Sequence, residues 1–186
     1  MTQPLIITAE SVLRDYFHAK DENRPHLLEG VFASEAQLEV NNHTGTISFP
    51  TVTEGREAIA DILVRQFAQT YENIYSFYMD RPVEAIVATF SCDWLVGMSE
   101  KEGKNVRIGC GRYDWSFQAG PPFLTNRLVI TIAVMEVLPP SQLKPVLTWL
   151  LGLDYPWTTA AAVRAAAPGI ADLVPVLRYL EKGGLS

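Results

Sequence analysis

The stretch Val106 to Phe117, VRIGCGRYDWSF, constrains the fold more than any other. Its second half alternates strictly, with Tyr113, Trp115 and Phe117 on one face and Arg112, Asp114 and Ser116 on the other. A two-residue period of this kind belongs to a strand with one buried face. Upstream, Ala88 to Met98 places Phe90, Cys92, Trp94, Val96 and Met98 on one face, against Thr89, Ser91, Asp93 and Leu95. The polar Ser99 to Gly103 segment between the two runs ends in Gly, which predicts an antiparallel hairpin. A loop of even length sets Trp94 on the same sheet face as Tyr113, Trp115 and Phe117. The rest of the chain then has to cover that aromatic face.

At 186 residues the chain suits one domain with an appendage, and 48% apolar against 19% charged residues describes a globular protein. A net charge of −6 and a pI near 5.1 oppose a nucleic-acid or anionic-membrane partner, because phosphate neutralisation needs excess cations. No apolar run is long enough to span a bilayer, and MTQPLIITAE lacks the basic start of a signal peptide. The expected location is cytoplasmic. Cys92 and Cys110 are too few for a disulfide scaffold and read as reduced, buried thiols, although their hairpin places them where they could approach.

Ala9, Val12, Leu13, Tyr16 and Phe17 recur at helical spacing behind Thr8, a plausible N-cap. Pro25 opens a short second helix to Val31, Ala36 to Asn42 alternates as a first strand, and Thr46 to Phe49 is a short extended piece. A third helix starts near Thr53–Glu57, with Ile59, Ile62, Leu63 and Phe67 as its buried stripe. Asn73 to Met79 and Glu84 to Ala88 read as strands broken by Asp80-Arg81-Pro82, and Arg127 to Val137 as a further strand. Beyond Pro139-Pro140 the pattern turns helical: Ser141 can cap the first of these helices, and Pro175 is expected to kink the last, which Gly183-Gly184 ends.

These elements define an α+β layer: a curved, mostly antiparallel sheet wrapped around N-terminal helices, with a helical C-terminal extension. In its order of elements the chain resembles the NTF2-like superfamily, the group of nuclear transport factor 2, SnoaL-like polyketide cyclases and ketosteroid isomerase. The carrying residues are VLRDYFHAKD, GVFASEAQLEV, EGREAIADIL and GRYDWSF, and the resemblance covers roughly Ala9 to Val137. It implies a conical, cystatin-like fold over residues 1–137, open at one end onto a pocket for a small apolar or aromatic molecule, and a homodimer. Residues 138–186 form an extension packed on the same domain or on a dimer partner. In ketosteroid isomerase an Asp base works with a Tyr and a protonated Asp that donate to the oxyanion. Carried over position by position, Tyr16 matches the first-helix Tyr, the base falls on Val40, which cannot take a proton, and Tyr113 matches the oxyanion Asp. Asp114 takes that last place if the register slips by one. The implied activity is cofactor-independent chemistry of the isomerase, dehydratase or cyclase kind, with a non-catalytic ligand-binding or protein-interaction module as the alternative.

The candidate catalytic residues are Tyr16, Asp114, Asp93 and His43, and the candidate substrate-binding residues are Tyr16, Val40, Trp94, Tyr113, Trp115 and Phe117. The aromatics read as core near the narrow end of the cone and as pocket lining near its mouth. Asp93, Arg112 and Asp114 read as a cross-strand ion pair on the outer face, or as a buried acid–base set if a bulge at Gly109 or Gly111 reverses the strand. His43, in the turn after the first strand, is a candidate general base at the pocket mouth. His18, His26 and His43 share no metal-ligand spacing. Nothing resembles a zinc site, a phosphate loop, a nucleophile elbow or a dinucleotide fingerprint, so no metal and no cofactor is expected.

Overall fold

The computed structural model describes residues 7–183. Helix α1 spans Ala9–Asp21 and begins in a capping box: Thr8 accepts from the Ser11 amide at 3.1 Å, and the Ser11 hydroxyl accepts from the Thr8 amide at 2.9 Å. Its buried stripe is Ala9, Val12, Leu13, Tyr16, Phe17 and, at the last turn, Lys20. A 3₁₀ turn over Pro25–Gly30 leads into β1, Phe32–Asn42. After β2, Val52–Glu54, residues 56–70 form one continuous helical stretch, α2 (Arg56–Ala60) and α3 (Phe67–Thr70) joined by a π-helical turn at Asp61–Gln66. Strands β3 (Tyr71–Tyr78), β4 (Thr89–Glu100), β5 (Val106–Phe117) and β6 (Thr125–Leu138) complete a curved, unclosed six-stranded sheet of order β2-β1-β6-β5-β4-β3. All neighbours are antiparallel except β1 and β6.

The β4–β5 hairpin has the expected register. Asp93 pairs with Arg112, Cys92 with Tyr113 and Phe90 with Trp115, and Trp94 faces Gly111. A side chain at Gly111 would put its Cβ 1.8 Å from the Thr131 carbonyl oxygen and 2.9 Å from the Trp94 ring, so glycine is what lets Trp94 lie across β5. The one irregularity near it, between Cys110 and Gly111, lies in the β5–β6 pairing and leaves the alternation of β5 intact. Tyr113, Trp115, Phe117, Trp94 and Cys92 therefore all face the N-terminal helices, in one core with Tyr16, Phe17, Phe32 and Leu63.

The opposite face of the sheet is also buried. Phe77, Leu95, Val106, Ile108, Cys110 and Leu138 pack against Val146, Trp149, Leu150, Val163, Val176 and Leu180. These come from α4 (Leu143–Leu151), α5 (Ala160–Ala166) and α6 (Val174–Gly183). The extension is therefore seated on the sheet of its own chain. A clasp fastens it to α1: the Arg14 and Arg81 guanidinium groups lie 5.1 and 4.8 Å from the Trp157 ring centre, and both pair with Glu10.

Several local expectations differ from the structure. Glu84 to Ala88 is irregular: Val83 and Ile86 point outward, and its backbone is held by isolated bonds, the Ala85 carbonyl accepting from the Ala9 amide and the Ala88 carbonyl from the Phe117 amide. The segment from Thr46 to Phe49 is irregular too, and β2 forms instead from Val52–Glu54. Ser141 lies in a 3₁₀ turn and caps nothing, whereas Thr159 caps α5. Pro175 is the second residue of α6, where no intrahelical donor is lost, so it starts the helix instead of bending it. Cys92 and Cys110 are free and buried on opposite faces of the sheet.

Candidate functional site

The alternation of β4, β5 and β6 and the stripe of α1 leave a small cavity of about 50 Å³ inside the cone. Tyr16, Lys20, Val40, Trp94 and Tyr113 line it, with Leu63 and Phe67 from the π-helical turn and α3, Met98 and Met135 from the sheet, and Ile47 and Phe49 from the irregular segment after β1. Its volume holds a water molecule but not a ring. Anything larger enters only if a wall yields, and Ile47 and Phe49 are the half-buried residues on the least regular of those walls.

Aromatic contacts fix the floor. The Tyr16 ring meets Trp115 at 5.1 Å and 83° and Tyr113 at 5.8 Å and 88°, edge to face, while Trp94 stacks on Tyr113 at 5.5 Å and 29°. Trp115 and Phe117 lie in the core behind this floor and do not line the cavity, which corrects their expected place in the pocket.

The polar atoms are few. Tyr16 is 1% exposed, and no hydrogen bond of ordinary geometry reaches its hydroxyl. Burial pushes that phenol well above its usual range, offset in part by the neighbouring Tyr113, so it is neutral and a donor throughout physiological pH. The Trp94 indole N–H is likewise buried without a partner. Lys20, 6% exposed, donates from Nζ to Asp21 Oδ1 at 2.5 Å and to Ser76 Oγ at 2.9 Å, and its ammonium lies 5.3 Å from the Phe67 ring centre. Asp21 also accepts from the Ser76 amide at 3.1 Å and the Ser76 hydroxyl at 3.0 Å. Burial raises the Asp21 carboxyl against the opposing pull of Lys20 and Ser76.

Lys20 and Asp21 did not stand out in the sequence, yet the signal was there. Lys20 follows Tyr16 by four residues and Phe17 by three, so it continues an apolar stripe into which a cation goes only with a partner.

Four of the residues expected at the pocket thus meet there: Tyr16, Val40, Trp94 and Tyr113. Besides Trp115 and Phe117, three others do not. Asp93 and Asp114 are on the outer face, corrected from a possible buried acid–base set because β5 keeps its alternation. Asp93 accepts weakly from the Tyr179 hydroxyl at 3.5 Å, with Arg112 Nη1 3.8 Å away, inside a polar recess under α5 and α6. Asp114 is half-buried and accepts from Ser91 Oγ at 2.6 Å. His43 is an exposed residue whose amide donates to the Ile132 carbonyl, and it is not among the residues that line the cavity. Among the described residues, no group of three or more His, Cys, Asp and Glu is placed to hold a metal, and no helix is long and apolar enough to cross a membrane.

The cone and its cavity place the fold among known structures. A type 2 hexachlorocyclohexane dehydrochlorinase is 14% identical, with a TM-score of 0.55 over 68% of this chain and 84% of that one. An NTF2-like superfamily protein from Salmonella enterica serovar Typhimurium is 13% identical, with a TM-score of 0.53 over 67% and 88%. A protein from Novosphingobium aromaticivorans, described as a candidate scytalone dehydratase, is 12% identical, with a TM-score of 0.50 over 71% and 90%. No protein-family model matches the sequence, and no curated protein is similar to it. The chain has the NTF2-like fold.

Proposed function

We propose that the chain binds a small, largely apolar molecule in the cavity of its cone. The observation that carries this reading is the Tyr16 hydroxyl, buried in an aromatic wall beside Tyr113 and reached by no hydrogen bond of ordinary geometry. A buried phenol of this kind costs about 1–3 kcal/mol while unpaired, so a cavity that keeps one is suited to a ligand that completes it. The lining supports binding more than acid–base catalysis. No carboxylate or imidazole is among its described residues, and Asp21, the carboxylate paired with Lys20, is held by three donors.

A second reading, a cofactor-independent isomerase, dehydratase or cyclase, is favoured by the same phenols. Tyr16 and Tyr113 can donate to a carbonyl oxygen as charge develops on it, and Lys20 is the one other titratable group on the wall. Two solved proteins of this fold carry a dehydrochlorinase and a dehydratase description, which adds weight to elimination chemistry.

A panel of small cyclic and aromatic molecules, measured by thermal shift and ligand-observed NMR against the wild type and Tyr16→Phe, tests the first reading. Ligands that stabilise the wild type and lose affinity in the variant support it. Equal binding to both, or none, refutes it. Incubating the binders in deuterium oxide separates the readings, since exchange of a carbon-bound proton marks catalysis.

A further inference from the structure

The polar part of the cavity is one-sided. Tyr16 Oη and Trp94 Nε1 are donors without partners, and the Lys20 ammonium satisfies two of its three N–H groups, through Asp21 and Ser76. Both partners lie on the β3 side of Lys20, while Lys20 itself lines the cavity. The remaining lining is aliphatic, aromatic or methionine sulfur, apart from the Tyr113 hydroxyl. A set of buried donors that includes a cation, and no competing carboxylate on the wall, is complementary to an oxygen acceptor carrying negative charge. The Lys20–Asp21 pair makes this stable before any ligand arrives. Asp21 offsets the cost of burying the ammonium, and Ser76 fixes it in place by bonding both partners. Phe67 and Phe17 shield the cation from solvent, their ring centres 5.3 and 5.6 Å from Nζ.

We propose that the ligand of this cavity carries a carboxylate, bound between Lys20 Nζ, Tyr16 Oη and Trp94 Nε1, with its apolar body against Tyr113, Phe67 and the two methionines. This rests on the reading of the cavity as a ligand site.

Two matched pairs of probes test it by calorimetry: isobutyrate with isobutanol, the smaller pair, and benzoate with benzyl alcohol, the larger, both of which need the wall of Ile47 and Phe49 to shift. The carboxylate of at least one pair is expected to bind roughly tenfold or more tightly than its alcohol, the worth of one charge-assisted hydrogen bond. Lys20→Met is expected to remove that preference, so that each carboxylate binds no more tightly than its alcohol. Since this variant strands Asp21, Lys20→Met combined with Asp21→Asn is measured beside it, with folding checked by near-ultraviolet circular dichroism. Alcohols that bind as well as the carboxylates, or a preference that survives in the folded double variant, overturn the carboxylate while leaving the ligand site intact. No binding by any of the four at millimolar concentration overturns both.

Discussion

Tyr16 and Lys20 occupy the same face of one helix, and each pulls stability and function in opposite directions. The unpartnered Tyr16 hydroxyl is a standing cost, so Tyr16→Phe is expected to raise unfolding free energy by up to about 1 kcal/mol in urea denaturation while weakening ligand binding. A loss of stability would mean that the hydroxyl has a partner after all. The same phenol has a raised pKa in the folded state, so its proton is retained where the unfolded chain has already lost it. Its contribution is complete below an ordinary tyrosine pKa of about 10 and is lost as pH climbs above that value. Tyr78 and Tyr113 behave alike. The alkaline fall in stability should therefore be shallower in Tyr16→Phe by about 1.4 kcal/mol per pH unit, read from urea denaturation at a series of pH values above 10. Asp21→Asn leaves the Lys20 ammonium buried without its counter-charge and is expected to cost about 3–5 kcal/mol. Tyr16 was legible in the sequence because an aromatic on a helical stripe is a familiar pattern. Lys20 and Asp21 were not, because their partner Ser76 is 55 or more residues away and only the folded chain brings it near.

At the scale of elements, alternation was readable and connections were not. The β4–β5 hairpin follows from its sequence because each strand carries one apolar and one mixed face, and the loop fixes which faces agree. Yet the mixed face of β5 is not solvent-facing near Val106, Ile108 and Cys110. Their apolar character was the sign of a second buried layer. Glu84 to Ala88 has strand-like composition but only isolated backbone bonds, at Ala85 and Ala88, and no ladder, so composition alone misled there. Gly111 and Gly109 provide a test of the hairpin. A Cβ at Gly111 meets β6 backbone at 1.8 Å, while one at Gly109 meets mainly the flexible end of Met135, 2.4 Å from its Cε, and lies 3.0 Å from the Val134 carbonyl oxygen. Gly111→Ala is expected to destabilise the chain by about 3 kcal/mol or more, and Gly109→Ala by clearly less, in parallel thermal denaturations.

For the molecule as a whole, the sheet serves two cores. The inner one builds the cavity, and the outer one is filled by the chain's own α4 to α6. A homodimer, expected from the resemblance, would have to use a surface other than this covered face. The extension thus makes the fold self-sufficient on the side where a bare sheet would expose Phe77, Leu95, Val106, Ile108 and Leu138. Ending the chain after Leu138 is expected to give a species that self-associates by light scattering, whereas a monodisperse monomer would show that the extension is dispensable. The clasp of Trp157 between Arg14 and Arg81 was invisible in the sequence, since its three residues come from three separate segments.

The central claim is that the cavity inside the cone, and not the polar recess outside the sheet, receives the ligand. Methionine methyl NMR reads this directly, because Met98 and Met135 line the cavity and Met79 lines the recess. Titration with isobutyrate or benzoate should shift the Met98 and Met135 methyl signals together and leave Met79 still. Shifts confined to Met79, or none at saturating probe, would contradict the account.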